Sequence, residues 1–170
     1  MRFITSSILT LSLLMLAPGC DGTEASRVSG ETEVLPIDDR GLIAAVHAGD
    51  RPYVLLSFFT TFCKPCVKEI PDLYAMHQDP ESPVQVLFVS LDHGSSRAHL
   101  PAFMQKVGLE RTYFLDEQAA ATFFGENLPD WNQSVPQNLL FSRDGRLVEH
   151  MQMTGSKEVI MLIHKDQSFH

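Results

Sequence analysis

The sequence predicts an α/β fold: a central mixed β-sheet flanked by helices, with mainly parallel strands and an antiparallel hairpin at one side. Three observations carry this expectation. Segments of strand character alternate with segments of helical spacing from Asp38 to Lys165. The apolar run Tyr53-Val-Leu-Leu-Ser-Phe-Phe59, too short for a buried helix, delivers Cys63 and Cys66 to the start of the next helix. Near the C-terminus, two strand-like runs meet around Asp144-Gly145, a strong local hairpin signal.

From Asp38 to His47, Leu42, Ile43 and Val46 fall at helical spacing, and Gly49-Asp50-Arg51-Pro52 ends the segment. Strand Tyr53–Phe59 then leads through Thr60-Thr61-Phe62-Cys63-Lys64-Pro65-Cys66 into a helix reaching about His77. That helix buries Val67, Ile70, Leu73 and Tyr74, and Pro71 is expected to kink it. Val84–Leu91 is the next strand, and Asp92 to Ser96 is the loop that leaves it. Leu100, Phe103, Met104 and Val107 occupy one helical face; Pro101 marks its start and Gly108 its C-terminal cap. Thr112–Leu115 is a short strand, and Asp116 caps a helix from Glu117 to Phe124 that Gly125 is expected to stop. Gln137–Ser142 and Arg146–Met151 form the hairpin, and Ser156 is expected to cap a last helix through about Lys165.

The first residues stand apart from the fold. Arg2, an apolar stretch from Ile8 to Ala17 and the junction Pro18-Gly19-Cys20 read as an export signal. The apolar stretch falls short of the roughly 20 residues that span a bilayer, so cleavage is expected over a permanent membrane helix. Leu16-Ala-Pro-Gly-Cys20 resembles the bacterial lipoprotein cleavage box, in which the cysteine receives lipid and becomes the mature N-terminus; ordinary secretion is the alternative. The domain plan is a signal peptide at 1–19, a lipidated Cys20 with a polar tether at 20–34, and one folded domain at 35–170. The formal net charge of -8 argues against a nucleic-acid footprint and a basic membrane-binding surface.

Of the three cysteines, Cys63 and Cys66 remain once Cys20 carries lipid, and an exported protein occupies a compartment that permits disulfides. Open α/β sheets place their sites beyond the carboxyl ends of central strands, where this pair stands. Two intervening residues on a first helical turn keep the sulfurs close enough to bond and leave the first one outward. Unpaired N–H groups and the helix dipole, with Lys64 nearby, favour thiolate at Cys63. Cys63 is therefore expected to attack and the shielded Cys66 to resolve. A structural zinc would need two further ligands, and the seven histidines supply no suitably spaced pair, so no metal and no cofactor are expected. Val67 in place of histidine after Cys66 excludes haem attachment at the motif.

The stretch from Val54 to Leu73, with its strand, CxxC and following Glu69-Ile70-Pro71, resembles the exported, membrane-anchored thioredoxin-like reductases of the TlpA and ResA type. The strand–helix insertion from Val84 to Val107 and Ser134-Val135-Pro136 also look like theirs. The resemblance implies a thioredoxin-like fold with a βα insertion after the active-site helix. It makes Pro136 a cis-proline facing the disulfide and gives Val135 strand-like hydrogen bonds to a substrate peptide. A trans proline opening a strand is the alternative. It also matches Glu69 to an acidic residue that takes the Cys66 proton, whereas the residues alone favour a solvated helix-surface glutamate. Phe62, Lys64 and Pro65 complete the expected substrate surface.

Departures qualify the match. Phe59 and Phe62 stand where tryptophans flank the motif, and Ser57 where cytosolic thioredoxins bury an aspartate. Gly125–Gln133 is long for this position, and Trp131 either lines the substrate groove or covers the core. The expected function is extracytoplasmic thiol–disulfide exchange by a monomer on the periplasmic face of a bacterial envelope. Its expected partners are oxidised exported proteins such as apocytochrome c, an integral-membrane thiol reductant, and the membrane through its lipid anchor. A thiol peroxidase is the nearest rival, since Thr60 precedes Cys63 as in P-x-x-x-T-x-x-C, although Leu56 replaces the proline. A thioredoxin-fold copper metallochaperone is the third reading.

Overall fold

The computed structural model describes residues 32–168; Cys20, the signal segment and the tether up to residue 31 lie outside them. The described chain runs β1 (Glu33–Ile37), α1 (Asp39–His47), β2 (Tyr53–Phe59), α2 (Lys64–Gln78), β3 (Val84–Ser90), a 3-10 turn (Gly94–His99), α3 (Leu100–Val107), β4 (Arg111–Leu115), α4 (Glu117–Asn127), β5 (Gln137–Ser142), β6 (Leu147–Met151) and α5 (Ser156–Gln167). The six strands form one sheet in the order β1-β4-β3-β2-β5-β6. β1, β4, β3 and β2 are mutually parallel, while β5 pairs antiparallel with both β2 and β6. The thioredoxin-like α/β fold is therefore present.

β2 is central because its sequence is almost wholly apolar, interrupted by Ser57, and every one of its residues is buried. Alternation along the strand sends Leu55 and Phe59 into one core, with Ile70, Leu73, Phe103, Val159 and both motif cysteines. Val54, Leu56 and Phe58 enter the other core, with Leu42, Val46 and Phe123. Helices α2, α3 and α5 thus cover one face, and α1 and α4 the other. The cysteine pair belongs to the first layer.

Four details differ from the sequence expectations. β1 begins at Glu33, inside the segment expected to be tether, and pairs in parallel with β4. Pro36 and the short apolar pattern hide this strand, since its partner lies far along the chain and an edge strand tolerates proline. Asp92–Ser96, expected as a loop, gives way at Gly94 to a 3-10 turn. α4 continues through Gly125 to Asn127; the buried side chains of Phe123 and Phe124 hold the helix where a glycine alone would weaken it. Ser156 is not the cap of α5, for Gly155 occupies that position. Ser156 instead donates its N–H (2.7 Å) and hydroxyl (3.0 Å) to the Asp72 carboxylate, so a side chain of α2 caps α5 and ties the two helices together.

The β5–β6 hairpin turns on Gly145, which adopts φ +83° with His47 packed over it. Any side chain there adopts a strained backbone and meets the His47 ring. Gly145→Ala should lower stability by about 1–3 kcal/mol, measured as a fall in the urea midpoint at unchanged slope; an unaltered midpoint would show that this turn tolerates a Cβ.

Candidate active site

β2 ends at Phe59, whose carbonyl accepts from Leu91 N–H (2.8 Å), and the chain turns through Thr60, Thr61 and Phe62. Thr60 C=O accepts the N–H of Cys63 at 3.1 Å. Cys63 is the N-cap of α2 in extended conformation, and Pro65 occupies the first helical turn, where no N–H is needed. The Cys66 N–H points at Cys63 Sγ from 3.2 Å. A disulfide joins the two sulfurs. Cys63 is 6% exposed and Cys66 1%, so the first is the more accessible, while Lys64 and Pro65 are exposed and Phe62 is 67% exposed. The Val135–Pro136 bond is cis, with Pro136 buried and Val135 packed against the core that holds the cysteines. Neither backbone polar group of Val135 has a hydrogen-bond partner among the described residues.

Glu69 lies three positions beyond Cys66 on α2 and is only 5% exposed. Its Oε1 accepts from Asn138 Nδ2 at 2.6 Å, and its Oε2 from Thr154 N–H at 3.2 Å. Burial pushes its pKa up to about 7 despite these two hydrogen bonds, which favour the ionised form. Asn138 is delivered by β5 opposite Ser57 of β2 and also donates to Gln152 C=O at 3.1 Å. Glu69 is thus an inward carboxyl on the cysteine side of α2, which the solvated-surface alternative did not anticipate.

A second buried acid flanks the motif. Asp92, 0% exposed just past β3, accepts from Thr61 N–H at 3.0 and 3.2 Å, from the Thr61 hydroxyl at 2.7 Å and from the Ser90 hydroxyl at 2.9 Å. Sequence reading did not single out Asp92, Asn138 or Thr154. The available signals were a carboxylate directly after a buried strand and an amide inside the apolar run Gln137-Asn-Leu-Leu-Phe. Among the described residues, the buried side-chain polar atoms without a partner are Thr60 Oγ1, next to Thr61, and Asn138 Oδ1, on the amide that binds Glu69.

Beside the disulfide runs a groove of about 420 Å³, lined by Phe62, Leu91, Leu115, Phe124, Trp131 and Val135 among others. Trp131 stacks on Phe124 (centroids 3.7 Å apart) and donates its indole N–H to Ser134 C=O at 3.0 Å. It therefore both lines the groove and covers the core. Phe59 is buried against Phe103 (5.2 Å), so of the two phenylalanines flanking the motif, Phe62 alone faces solvent.

The model of the AhpC/TSA family matches residues 39–150. In fold, the chain is similar to a thiol:disulfide interchange protein of the thioredoxin family from Chlorobium tepidum TLS, at 12% identity and TM-score 0.59 over 76% of this chain and 89% of that one. A DsbF homologue from Corynebacterium diphtheriae is 18% identical, with TM-score 0.55 over 72% of this chain and 75% of that one. The exposed lipoprotein thioredoxin Etrx1 of Streptococcus pneumoniae strain TIGR4 is 18% identical, with TM-score 0.51 over 76% and 96%. No curated protein matches the sequence.

Glu69 makes stability depend on pH with a defined sign. Between its ordinary value of 4.5 and its folded value of about 7 the carboxyl stays protonated in the fold but ionises in the unfolded chain. The stability it contributes is therefore complete at low pH, is lost as pH rises to about 7, and changes no further above it. The full span is roughly 3 kcal/mol. Glu69→Gln should remove this component, so that urea-derived stabilities of the two proteins converge or cross between pH 4.5 and 8; parallel curves would show that Glu69 titrates normally.

Proposed function

Because the chain belongs to the AhpC/TSA family, we propose that it is a thiol–disulfide oxidoreductase that reduces disulfides of exported proteins through Cys63 and Cys66. The observation that carries this reading is the Cys63–Cys66 disulfide at the N-terminus of α2, beyond the buried end of β2. Loss and recovery of that bond is the two-electron chemistry of the site.

In the reduced protein, Cys63 is the nucleophile: the Cys66 N–H and the helix N-terminus stabilise its thiolate. The thiolate attacks one sulfur of a client disulfide, which forms a mixed disulfide and expels the first client thiolate. Cys66 then loses its proton and attacks the Cys63 sulfur. The Cys63–Cys66 bond forms, the second client thiolate leaves, and two electrons have passed to the client. Glu69, with a pKa of about 7, takes the Cys66 proton at neutral pH. Val135 presents free backbone groups to an extended client segment, and Phe62, Lys64 and Pro65 surround the point of attack.

The N-terminal sequence supports an extracytoplasmic protein held to the bacterial envelope through lipid on Cys20, with the polar tether giving the domain reach. The resemblance of the motif supports clients such as apocytochrome c, and an integral-membrane thiol donor that returns electrons to the disulfide. A thiol peroxidase is the second reading, favoured by the family assignment and by the unpartnered, buried Thr60 hydroxyl. A resolving cysteine already bonded to Cys63 favours dithiol exchange.

Cys66→Ser should accumulate mixed disulfides with clients, visible on non-reducing electrophoresis, whereas Cys63→Ser should lose both turnover and adducts. Equal trapping by both variants would refute Cys63 as sole nucleophile, and absent adducts with rapid peroxide consumption would establish the peroxidase. Cys20→Ser should release the domain from membranes or block its processing. An unchanged fractionation without any lipid label would dispose of the anchor.

A further inference from the structure

We propose that Asp92 is a positioning residue that clamps the turn before Cys63 and, by its buried charge, restrains the Cys63 thiolate, so that the reduced pair is a stronger electron donor than the helix N-terminus alone would make it. The inference rests on the thiol–disulfide reading above. Asp92 is completely buried, and a carboxylate withdrawn from water persists only when its oxygens are filled. Its side-chain partners are the Thr61 N–H, the Thr61 hydroxyl and the Ser90 hydroxyl, all neutral donors. It makes no ion pair among the described residues. Its charge is therefore held in place without being cancelled.

The clamp acts on the residues that carry the chemistry. Thr61 stands two positions before Cys63, and Thr60 C=O holds the Cys63 N–H at 3.1 Å. Phe62, between Thr61 and Cys63, is 67% exposed and contributes little packing to this turn, whereas Asp92 holds it through three hydrogen bonds from Thr61. The charged and titratable groups around the motif are Lys64 and His93, which are exposed, Glu117 at the groove, and the buried Glu69. Lys64 and His93 stand in solvent, where the influence of a charge is screened, whereas Asp92 acts through the protein interior. A nearby negative charge disfavours a thiolate and opposes the helix dipole. A less stabilised thiolate is a more reactive nucleophile, and the dithiol gives up its two electrons more readily to a client disulfide.

Asp92→Asn removes the charge while keeping the shape of the side chain, and Thr61→Val removes a hydrogen bond while keeping the charge. In the reduced proteins, the pH dependence of Cys63 alkylation by iodoacetamide gives the thiol pKa, and equilibration with glutathione above that pKa gives the redox balance. Asp92→Asn should lower the pKa by about one unit and move the equilibrium roughly tenfold towards the dithiol, while Thr61→Val should leave both within about twofold. A change below about twofold in Asp92→Asn, a change of opposite sign, or an equal change in Thr61→Val would overturn the proposal. If Asp92→Asn does not fold, Asp92→Ser, which leaves room for water beside Thr61, provides the same readout. A wild-type protein that reduces no protein disulfide would sink the functional reading without touching these thiol measurements.

Discussion

Strand β2 is hydrogen-bonded along both edges and buried along its whole length, and the rest of the molecule is arranged around that fact. A strand so placed has no freedom at its carboxyl end. The first residues beyond it must turn at once, and Thr60, Thr61 and Phe62 do so in the space between Leu91 and the start of α2. The cysteine that begins the helix consequently sits where unpaired N–H groups converge and where a parallel sheet leaves its crevice. Its partner, one turn further in, is sealed by the core that also contains Ile70, Leu73 and Phe103. Cys63 is 6% exposed and Cys66 1%, because the helix carries the second cysteine deeper into the core.

Two carboxyl groups lie behind this surface, and the fold treats them differently. Glu69 receives an amide and a backbone N–H, yet burial outweighs both and shifts it towards the neutral form. Asp92 receives donors on both oxygens from the turn before Cys63, so its hydrogen bonds hold the backbone there. Both depend on β3 and β5 flanking β2, since those strands deliver Asp92 and Asn138.

The long elements were legible because their signals are local. β2, β3, the helix after the cysteines and the Asp144-Gly145 hairpin each announce themselves through periodicity or turn chemistry within a dozen residues. β1 was not, since Glu33–Ile37 becomes a strand only by pairing with Arg111–Leu115. Ser156 gave a plausible cap signal, but the cap comes from Asp72 across the structure. Gly125 carried a stop signal that the buried Phe123 and Phe124 override. Each miss is a local preference, worth about 1 kcal/mol, set against tertiary contacts that the sequence does not display.

By itself the sequence determined the α/β class and the position of the cysteine pair after a buried strand, because these follow from the hydrophobic pattern and the local turn signals. Tertiary structure alone decided the environment of the acids. Glu69 could have faced water on the helix surface, and only the approach of β5, with Asn138 beside it, turned it into a buried carboxyl. Asp92 read as a loop residue until the sheet placed it against Thr61. Burial is a property of what packs against a residue, and for both acids that partner comes from a distant part of the chain.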